Sequence, residues 1–138
     1  MFALSSSVHA GLKSNYFLED DNADNPVSLY AVSKKRCELL ACTYHYLYGL
    51  NAAGLRFFTV YGLRERLDMA PCKFIDRISH GIEIQQFGDG SSSRDYTCVS
   101  NIVDGIVRAL DRPDGYEICN LGKGRGHYCL VLVRHSVY

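Results

Sequence analysis

The pattern of apolar and polar positions alternates along the chain between segments typical of strands and segments typical of helices. A short apolar run near the start, FALSSSV, ends in a serine cluster and leads into a polar, turn-rich stretch. From Val27 to Tyr48 no residue breaks a helix, and apolar side chains recur at roughly helical spacing. Asn25-Pro26 would cap this helix and form its first turn, and Gly49 would end it. The apolar positions of this helix are Leu29, Leu39, Leu40, Tyr44 and Leu47.

The segments after this helix continue the alternation. GLRFFTVYG is short, apolar and rich in β-favouring residues, which predicts a buried strand of a parallel sheet. CKFIDRISHGI predicts a short amphipathic helix, and EIQQFGDGSSSRDYTCV predicts a hairpin with its turn at Asp89-Gly90. SNIVDGIVRALDRP predicts a helix that Pro113 ends, and GYEICNLG predicts a last strand. Together these elements indicate an α/β fold.

Composition excludes several classes of partner. The 138 residues suffice for one modest domain, with 47% apolar and 22% charged residues. The formal net charge of zero provides no electrostatic surface for nucleic acid or an anionic membrane, so neither partner is predicted. No apolar run reaches the roughly 20 residues of a membrane span, and the first residues do not resemble a signal peptide. The expected location is therefore cytoplasmic.

The six cysteines lie mostly inside apolar stretches and show no Cys-x-x-Cys spacing, which predicts reduced, buried thiols. Cys37, Cys42 and His45 form the one group that suggests a metal site. On a helix, however, Cys37 and Cys42 would point about 140° apart. No metal site is therefore predicted.

SLYAVSKK, residues 28–35, places Tyr30 and Lys34 four positions apart. On a helix this spacing is a rotation of about 400°, so both side chains project from nearly the same face. A nearby ammonium would lower the tyrosine pKa from its ordinary value of about 10 towards the range of a general base. The alternative is a solvated helix face without function, and the pair alone does not decide between the two.

Several motifs together resemble the extended short-chain dehydrogenase/reductase family, and specifically its NAD-dependent nucleotide-sugar epimerases. They are SSSV, SLYAVSKK, GLRFFTVYG, DMAPCKF, FGDGSSSRDYT and YEICNLG, in the family's order and over nearly the whole chain. DNPVSLYAVSKK, TYHYLYGL and GLRFFTVYG are most similar to the UDP-glucuronate 4-epimerases. The resemblance implies the C-terminal part of a Rossmann-like doubly wound parallel sheet, plus a small α/β substrate-binding region.

The resemblance also implies catalytic roles. The family's tyrosine and lysine, which also contact NAD, correspond to Tyr30 and Lys34. Its serine or threonine corresponds to Ser5, with Ser6 and Ser7 as the neighbouring candidates for the same position and otherwise as substrate contacts. Tyr30 would take the proton of the sugar hydroxyl, and Ser5 would donate a hydrogen bond to the oxygen as it gains carbonyl character. The related 4,6-dehydratases carry acidic residues at Ser6 and Ser7, so epimerisation through a 4-keto sugar is favoured over dehydration.

Three further residues match positions at which the family contacts a UDP-sugar. Arg94 corresponds to the position that holds the substrate diphosphate, a task that suits a guanidinium. A local ion pair of Arg94 with Asp95 or Asp89 is the alternative. Arg66 would lie near the sugar acid, and Thr59 is either a substrate contact or a buried strand threonine.

The glycine turn Gly-x-x-Gly-x-x-Gly, with which the family holds the dinucleotide pyrophosphate, does not occur in these residues. GKGRG, residues 122–126, lacks the strand and helix context for that task and is predicted to be a turn after the last strand. The chain is therefore expected to be an N-terminally truncated fragment. Residues 1–62 would form a partial NAD-binding region and residues 63–138 a substrate-binding region, with some elements returning to the sheet.

Two classes of function remain open. The first is an NAD-dependent 4-epimerase of a UDP-sugar, or another nucleotide-sugar epimerase or dehydratase, of which this chain is the catalytic part. The second is a non-catalytic interaction module, in which the helix of residues 27–48 packs against another subunit, as the corresponding helices of this family do in homodimers. An open reading frame upstream of Met1 that encodes the glycine turn would favour the first.

Overall fold

A computed structural model describes residues 1–12, 17–84, 93–110 and 114–124, together with the backbone of residues 126–128. Six strands and three α-helices lie within these residues. In chain order they are β1 (Phe2–Ser5), α1 (Leu29–Tyr48), β2 (Ala52–Phe57), β3 (Thr59–Tyr61), α2 (Ala70–Ser79), β4 (Ser93–Cys98), α3 (Val99–Leu110), β5 (Tyr116–Leu121) and β6 (Gly126–Tyr128). A 3-10 turn, Ser6–His9, follows β1 directly.

The strands form two three-stranded sheets. The first has the order β1-β2-β5 and is parallel throughout, and α1 is the connection between β1 and β2. The second has the order β3-β4-β6, with β3 and β4 parallel and β4 and β6 antiparallel. Parallel strands joined through helices confirm the predicted α/β fold.

The apolar run GLRFFTVYG was expected to form one strand, and this prediction is wrong. The strand breaks at Phe58, because β2 pairs with β1 and β5 whereas β3 pairs with β4 of the second sheet. A continuous apolar run shows that the segment is buried but does not specify its neighbours. GYEICNLG is likewise not the last strand, since β6 follows β5.

The long helix begins two residues later than predicted. Ser28 has extended backbone angles and accepts a hydrogen bond from the backbone N–H of Ala31 at 3.1 Å, so Ser28 caps α1 and Asn25-Pro26 lies upstream of it. Gly49 ends the helix, as predicted. Its φ of 67° is in the left-handed region, and its N–H donates to the His45 carbonyl at 2.8 Å.

The apolar side chains of α1 face outwards. All five apolar positions are between 47% and 89% exposed: Leu29, Leu39, Leu40, Tyr44 and Leu47. The buried positions of the helix are instead Ala31 and the charged Glu38. Cys37 and Cys42 are also exposed, so the prediction of buried thiols is wrong for this helix. Cys129 lies outside the described residues.

The remaining elements agree with the sequence pattern where they are described. α2 and α3 occupy the segments predicted to be helical, and β4 and β5 lie within segments predicted to be strands. The hairpin turn at Asp89-Gly90 and the stop at Pro113 lie outside the described residues. Buried apolar side chains around the first sheet include Leu4, Val8, Ala53 and Leu55. None of the described helices combines the length and apolar character needed to cross a membrane.

Candidate active site

The carboxyl ends of the three parallel strands meet at one edge of the first sheet. Ser5 at the end of β1 is in register with Phe57 of β2, which is in register with Leu121 of β5. Ligands of open α/β sheets bind outside this edge. The serine turn after β1 and Thr59, two residues after Phe57, therefore start from the same edge, which makes it the candidate active site.

The serines at this edge are held by a capped turn. The Ser5 Oγ accepts a hydrogen bond from the backbone N–H of Ser7 at 3.2 Å, which leaves the Ser5 hydroxyl proton available for donation. The Ser7 Oγ is buried and has no hydrogen-bond partner among the described atoms. Buried hydroxyls are usually paired, so Ser7 is a second hydroxyl that could serve a ligand. Ser6 is half-buried in the same turn.

Tyr30 and Lys34 share one face of α1, as their spacing predicts. The Lys34 Nζ lies 5.7 Å from the centroid of the Tyr30 ring and donates a hydrogen bond to the Ala3 carbonyl at 3.1 Å. Ala3 is two residues before Ser5 on β1. The tyrosine ring is 56% exposed and therefore accessible to a ligand. An ammonium has three donors, so the bond to Ala3 leaves two for other acceptors.

Arg94 lies on β4 in the second sheet. Its side chain is exposed, and its Nη1 donates to the neighbouring Ser93 carbonyl at 2.9 Å. The alternative partner Asp95 accepts hydrogen bonds from other donors: the backbone N–H groups of Lys123 and Gly124, at 3.2 and 2.7 Å, and the Thr97 hydroxyl at 3.0 Å. Asp95 thus holds the segment after β5. GKGRG was predicted to be a turn after the last strand, but its Gly126 begins β6, so it leads from β5 into a further strand. Asp89 lies outside the described residues.

Arg66 and Thr59 also belong to the region around β3. Arg66 is exposed, forms an ion pair with Asp68 (Nε–Oδ1 3.4 Å) and lines an open cavity of about 310 Å³ at the end of β3. Thr59 is half-buried at the start of β3. Among the described contacts, none joins either of the two arginines, Arg66 and Arg94, to Ser5 or Tyr30.

The comparison with protein families is decisive at this point. Residues 1–122 match the model of the NAD dependent epimerase/dehydratase family. The chain belongs to this family.

Relatives within the family are considerably longer than this chain. It is 49% identical over 125 residues to an uncharacterized protein of Methanocaldococcus jannaschii and 46% identical over 125 residues to a UDP-glucuronate 4-epimerase of Thermodesulfobacterium geofontis. Each alignment covers 91% of this chain and 38% of the relative. A solved structure, a Tyr-to-Phe mutant of UDP-glucuronic acid 4-epimerase from Bacillus cereus in complex with UDP-4-deoxy-4-fluoro-glucuronic acid and NAD, matches with a TM-score of 0.82 at 33% identity. That match covers 93% of this chain and 41% of the other.

NAD is the cofactor of the epimerase family. The described residues fit the part of this cofactor that includes a ribose. The Tyr30 ring is accessible, and the Lys34 ammonium has donors left for ribose hydroxyls at the carboxyl edge of the sheet. For the pyrophosphate, the 138 residues offer no glycine turn at the start of a helix. Tyr30 and Lys34 are thus the residues that could contact NAD.

A buried charge cluster beside the candidate site was missed by sequence reasoning. The Arg56 Nε and Nη2 donate to the two carboxylate oxygens of Glu38, at 2.7 and 3.0 Å, and Nη1 lies 3.2 Å from the His9 Nε2. Arg56 and Glu38 are 3% and 4% exposed, and His9 is fully buried. Arg56 is the one charged residue in the apolar run GLRFFTVYG, and it could have indicated this cluster, because a buried charge requires a partner.

Burial and the charges of this cluster shift the pKa of His9, which belongs to it, and of Tyr116, which lies beside it. Burial, followed by the positive charge of Arg56, lowers the pKa of His9 below its ordinary value. Burial, followed by the negative charge of Glu38, raises the pKa of Tyr116 to about 12. The Tyr116 hydroxyl donates to the Glu38 carbonyl oxygen at 2.9 Å. At neutral pH both His9 and Tyr116 are therefore uncharged.

The described residues contain no group of three or more His, Cys, Asp and Glu side chains that could hold a metal ion. The His45 Nδ1 donates to the Leu50 carbonyl at 2.9 Å, whereas Cys37 and Cys42 are exposed positions of α1.

Proposed function

We propose that this chain is the catalytic part of an NAD-dependent nucleotide-sugar 4-epimerase whose substrate is UDP-glucuronate. The proposal depends most on the hydrogen bond from the Lys34 Nζ to the Ala3 carbonyl, 3.1 Å long, because it ties the helix that carries Tyr30 to the strand that ends in Ser5. Membership of the epimerase family and the 46% identity to a UDP-glucuronate 4-epimerase support the same reading.

In this proposal each of the polar residues at the candidate site takes part in the reaction. Bound NAD would supply the chemistry of reversible hydride transfer at C4 of the sugar. Tyr30 acts as the general base that takes the proton of the C4 hydroxyl, and gives it back after the 4-keto sugar has turned. Ser5 donates a hydrogen bond to the C4 oxygen as it becomes a carbonyl. Lys34 orients the Tyr30 ring and offers its remaining donors to the ribose hydroxyls of the cofactor.

Five residues would bind the substrate. Arg94 would hold the diphosphate, since its guanidinium is exposed and Asp95 is occupied by other donors. Arg66, beside the open cavity at the end of β3, would bind the sugar carboxylate. Thr59, Ser6 and Ser7 would contact the sugar at the carboxyl edge of the first sheet. We also propose that residues 1–62 belong to the NAD-binding region and residues 63–138 to the substrate-binding region, of which β5 returns to the first sheet.

The exposed apolar positions of α1 favour a homodimer through this helix. Leu39 and Leu47 are both 60% exposed and Tyr46 is 86% exposed, an arrangement that burial against a second copy would stabilise. The same observation is compatible with the second candidate, a non-catalytic interaction module. The cytoplasmic location stays a prediction.

Isotope transfer tests the catalytic proposal. The enzyme that contains these residues together with a nucleotide-binding segment, on the same or a separate polypeptide, is incubated with NAD and UDP-glucuronate carrying deuterium at C4. We expect interconversion with the 4-epimer, with the deuterium kept at C4, because the hydride returns to the carbon from which it came. Loss of the label to solvent would exclude this mechanism. Absence of interconversion, with the protein folded and NAD bound, would favour the interaction module.

A further inference from the structure

The Arg56 guanidinium, at the centre of the first sheet, joins three separate segments of the chain. It binds Glu38 of α1 with two parallel hydrogen bonds of 2.7 and 3.0 Å. Its third nitrogen, Nη1, lies 3.2 Å from the His9 Nε2 and donates to the Glu19 carbonyl at 3.1 Å. Because a guanidinium only donates, His9 must present an unprotonated Nε2 to it. All three nitrogens of the guanidinium therefore have a hydrogen-bond partner.

Two of the three segments that Arg56 joins carry the proposed catalytic groups. Glu38 is one helical turn after Lys34 and two turns after Tyr30 on α1. His9 ends the turn that begins directly after Ser5. Tyr30 and Ser5 thus belong to separate segments, and Arg56, one residue before Phe57 at the carboxyl edge of β2, bridges these segments.

We propose that Arg56 is a positioning residue, which sets the separation between the Tyr30 hydroxyl and the Ser5 hydroxyl through Glu38 and His9. This inference rests on the proposed function, because it assumes that Tyr30 and Ser5 act on the same sugar oxygen. A planar fork fixes both the distance and the angle between its partners, which a flexible ammonium would not. A displacement of about 1 Å between reacting groups is sufficient to lower turnover by up to about 100-fold.

Replacing Arg56 alone would leave the buried Glu38 carboxylate with only the Lys35 ammonium, 3.5 Å away, in place of its two short hydrogen bonds, and could prevent folding. The informative variant is the double substitution Glu38→Met with Arg56→Met, which removes both charges and retains side-chain volume. The matched control is Leu55→Ala, at the adjacent position of β2. Leu55 is 3% exposed, so its truncation destabilises the same strand without changing the cluster.

Turnover is measured in the enzyme with NAD bound, at a temperature at which every variant is folded. We expect the double variant to lower kcat by about 10-fold or more while KM and the Kd for NAD change by less than about two-fold. In the Tyr30→Phe background the same double substitution should lower kcat by less than about two-fold, because the group being positioned is absent. Leu55→Ala should lower the Tm and leave kcat unchanged. Equal losses in both backgrounds would overturn the proposal.

A crystal structure of the double variant provides a readout that does not depend on activity. We expect the distance between the Tyr30 and Ser5 hydroxyl oxygens to differ from that in the parent enzyme by about 1 Å or more. An unchanged distance would overturn the positioning role. If Tyr30→Phe alone leaves turnover unchanged, the proposed function fails in its assignment of Tyr30, and the measured distance still decides whether Arg56 positions the two segments.

Discussion

The Lys34 ammonium lies 5.7 Å from the centroid of the Tyr30 ring, one turn further along the same helix. This relationship is local and follows from the helical period alone. The bond from Lys34 to the carbonyl of Ala3 is not local, because 31 positions separate the two residues. This second contact holds the pair against β1, the strand that ends in Ser5.

Replacement of Tyr30 by Phe tests the proposed base directly. Loss of a general base typically costs at least about 100-fold in turnover, so Tyr30→Phe should lower kcat by this amount. UDP-sugar binding should change little, because the ring and its packing are retained. Calorimetry with UDP-glucuronate measures the binding. Tyr44→Phe, an exposed tyrosine of the same helix, is the control and should retain full turnover. Near-normal turnover of Tyr30→Phe would remove Tyr30 from the mechanism.

The helix that carries this pair shows where sequence reasoning succeeded and where it could not. Its existence and its end at Gly49 followed from periodicity and from the glycine. Its orientation did not follow, because the usual expectation is that apolar residues face the core. Here Glu38 occupies the buried face, since Arg56 on β2 provides its partner. Such pairing involves two segments that are distant in sequence, and the hydrophobic period of one segment does not indicate which residue of another segment it pairs with.

Arg94 should act in binding. Arg94→Ala is expected to weaken the binding of UDP-glucuronate and of UDP alone by about 10-fold or more, because hydrogen bonds to a charged group contribute about 1.5–3 kcal/mol. Isothermal calorimetry with both ligands measures the effect. The matched control is Arg108→Ala on α3, which removes an exposed arginine paired with Asp104 (Nε–Oδ2 2.8 Å). Equal UDP affinity of the Arg94→Ala and parent enzymes would show that Arg94 does not contact the diphosphate.

His9 should make the folded state sensitive to acid. Its pKa in the folded protein is lowered by burial and by Arg56, against the opposing effects of Asp21 and Glu38. The unfolded chain therefore binds the proton first as pH falls below the ordinary value of 6.5, and stability that is present above this pH is lost below it. The Tm of the parent enzyme should fall more between about pH 7.5 and about pH 5.5 than that of His9→Gln.

Glutamine is the suitable replacement because its amide oxygen can still accept a hydrogen bond from Arg56, whereas it does not titrate. The two proteins should therefore be similar in Tm at the higher pH and diverge at the lower one. Parallel Tm curves over the whole range would mean that His9 takes up its proton equally in the folded and unfolded states.

Gly54 should be required by the packing of the first sheet. A Cβ at this position would lie 2.6 Å from the Leu4 Cδ1, 2.8 Å from the Phe2 Cζ and 2.9 Å from the Ile118 Cδ1. Gly54→Ala should therefore destabilise the protein by about 1–3 kcal/mol through overpacking. Gly49→Ala is the comparison, because nothing lies within 4 Å of that site and only its positive φ opposes a side chain. Urea unfolding of both variants measures the difference, and an unchanged midpoint for Gly54→Ala would contradict the packing described.

The substrate-binding half was less predictable than the catalytic pair. The sequence identified β4 and α3 by their patterns, but the division of GLRFFTVYG between two sheets depends on where β4 lies. Arg66 and Arg94 could be assigned only by resemblance, because exposed arginines have no periodic signature. The buried arginine, Arg56, was in principle recognisable, since an apolar strand seldom carries a charge without a partner.

The 138 residues by themselves should neither bind NAD tightly nor epimerise a UDP-sugar. They contain no Gly-x-x-Gly-x-x-Gly turn to receive the pyrophosphate at a helix N-terminus. Tyr30, Lys34 and Ser5 could still stand close together, but a base without a hydride acceptor has no reaction to assist. Among the described strands, β1 forms an edge of the first sheet, and an exposed edge favours pairing with another chain.

The measurement starts from purified residues 1–138 that circular dichroism shows to be folded. NAD is titrated by calorimetry, and UDP-glucuronate and UDP-glucose are assayed for interconversion with their 4-epimers. The control is the same chain combined with a nucleotide-binding segment that carries the glycine turn, for which we expect both NAD binding and turnover. A Kd for NAD in the micromolar range or measurable turnover by residues 1–138 alone would contradict the prediction. It would mean that Tyr30, Lys34 and the carboxyl edge of the first sheet hold the dinucleotide without a glycine turn, and the pyrophosphate would then have to be bound by backbone N–H groups or cations of this chain.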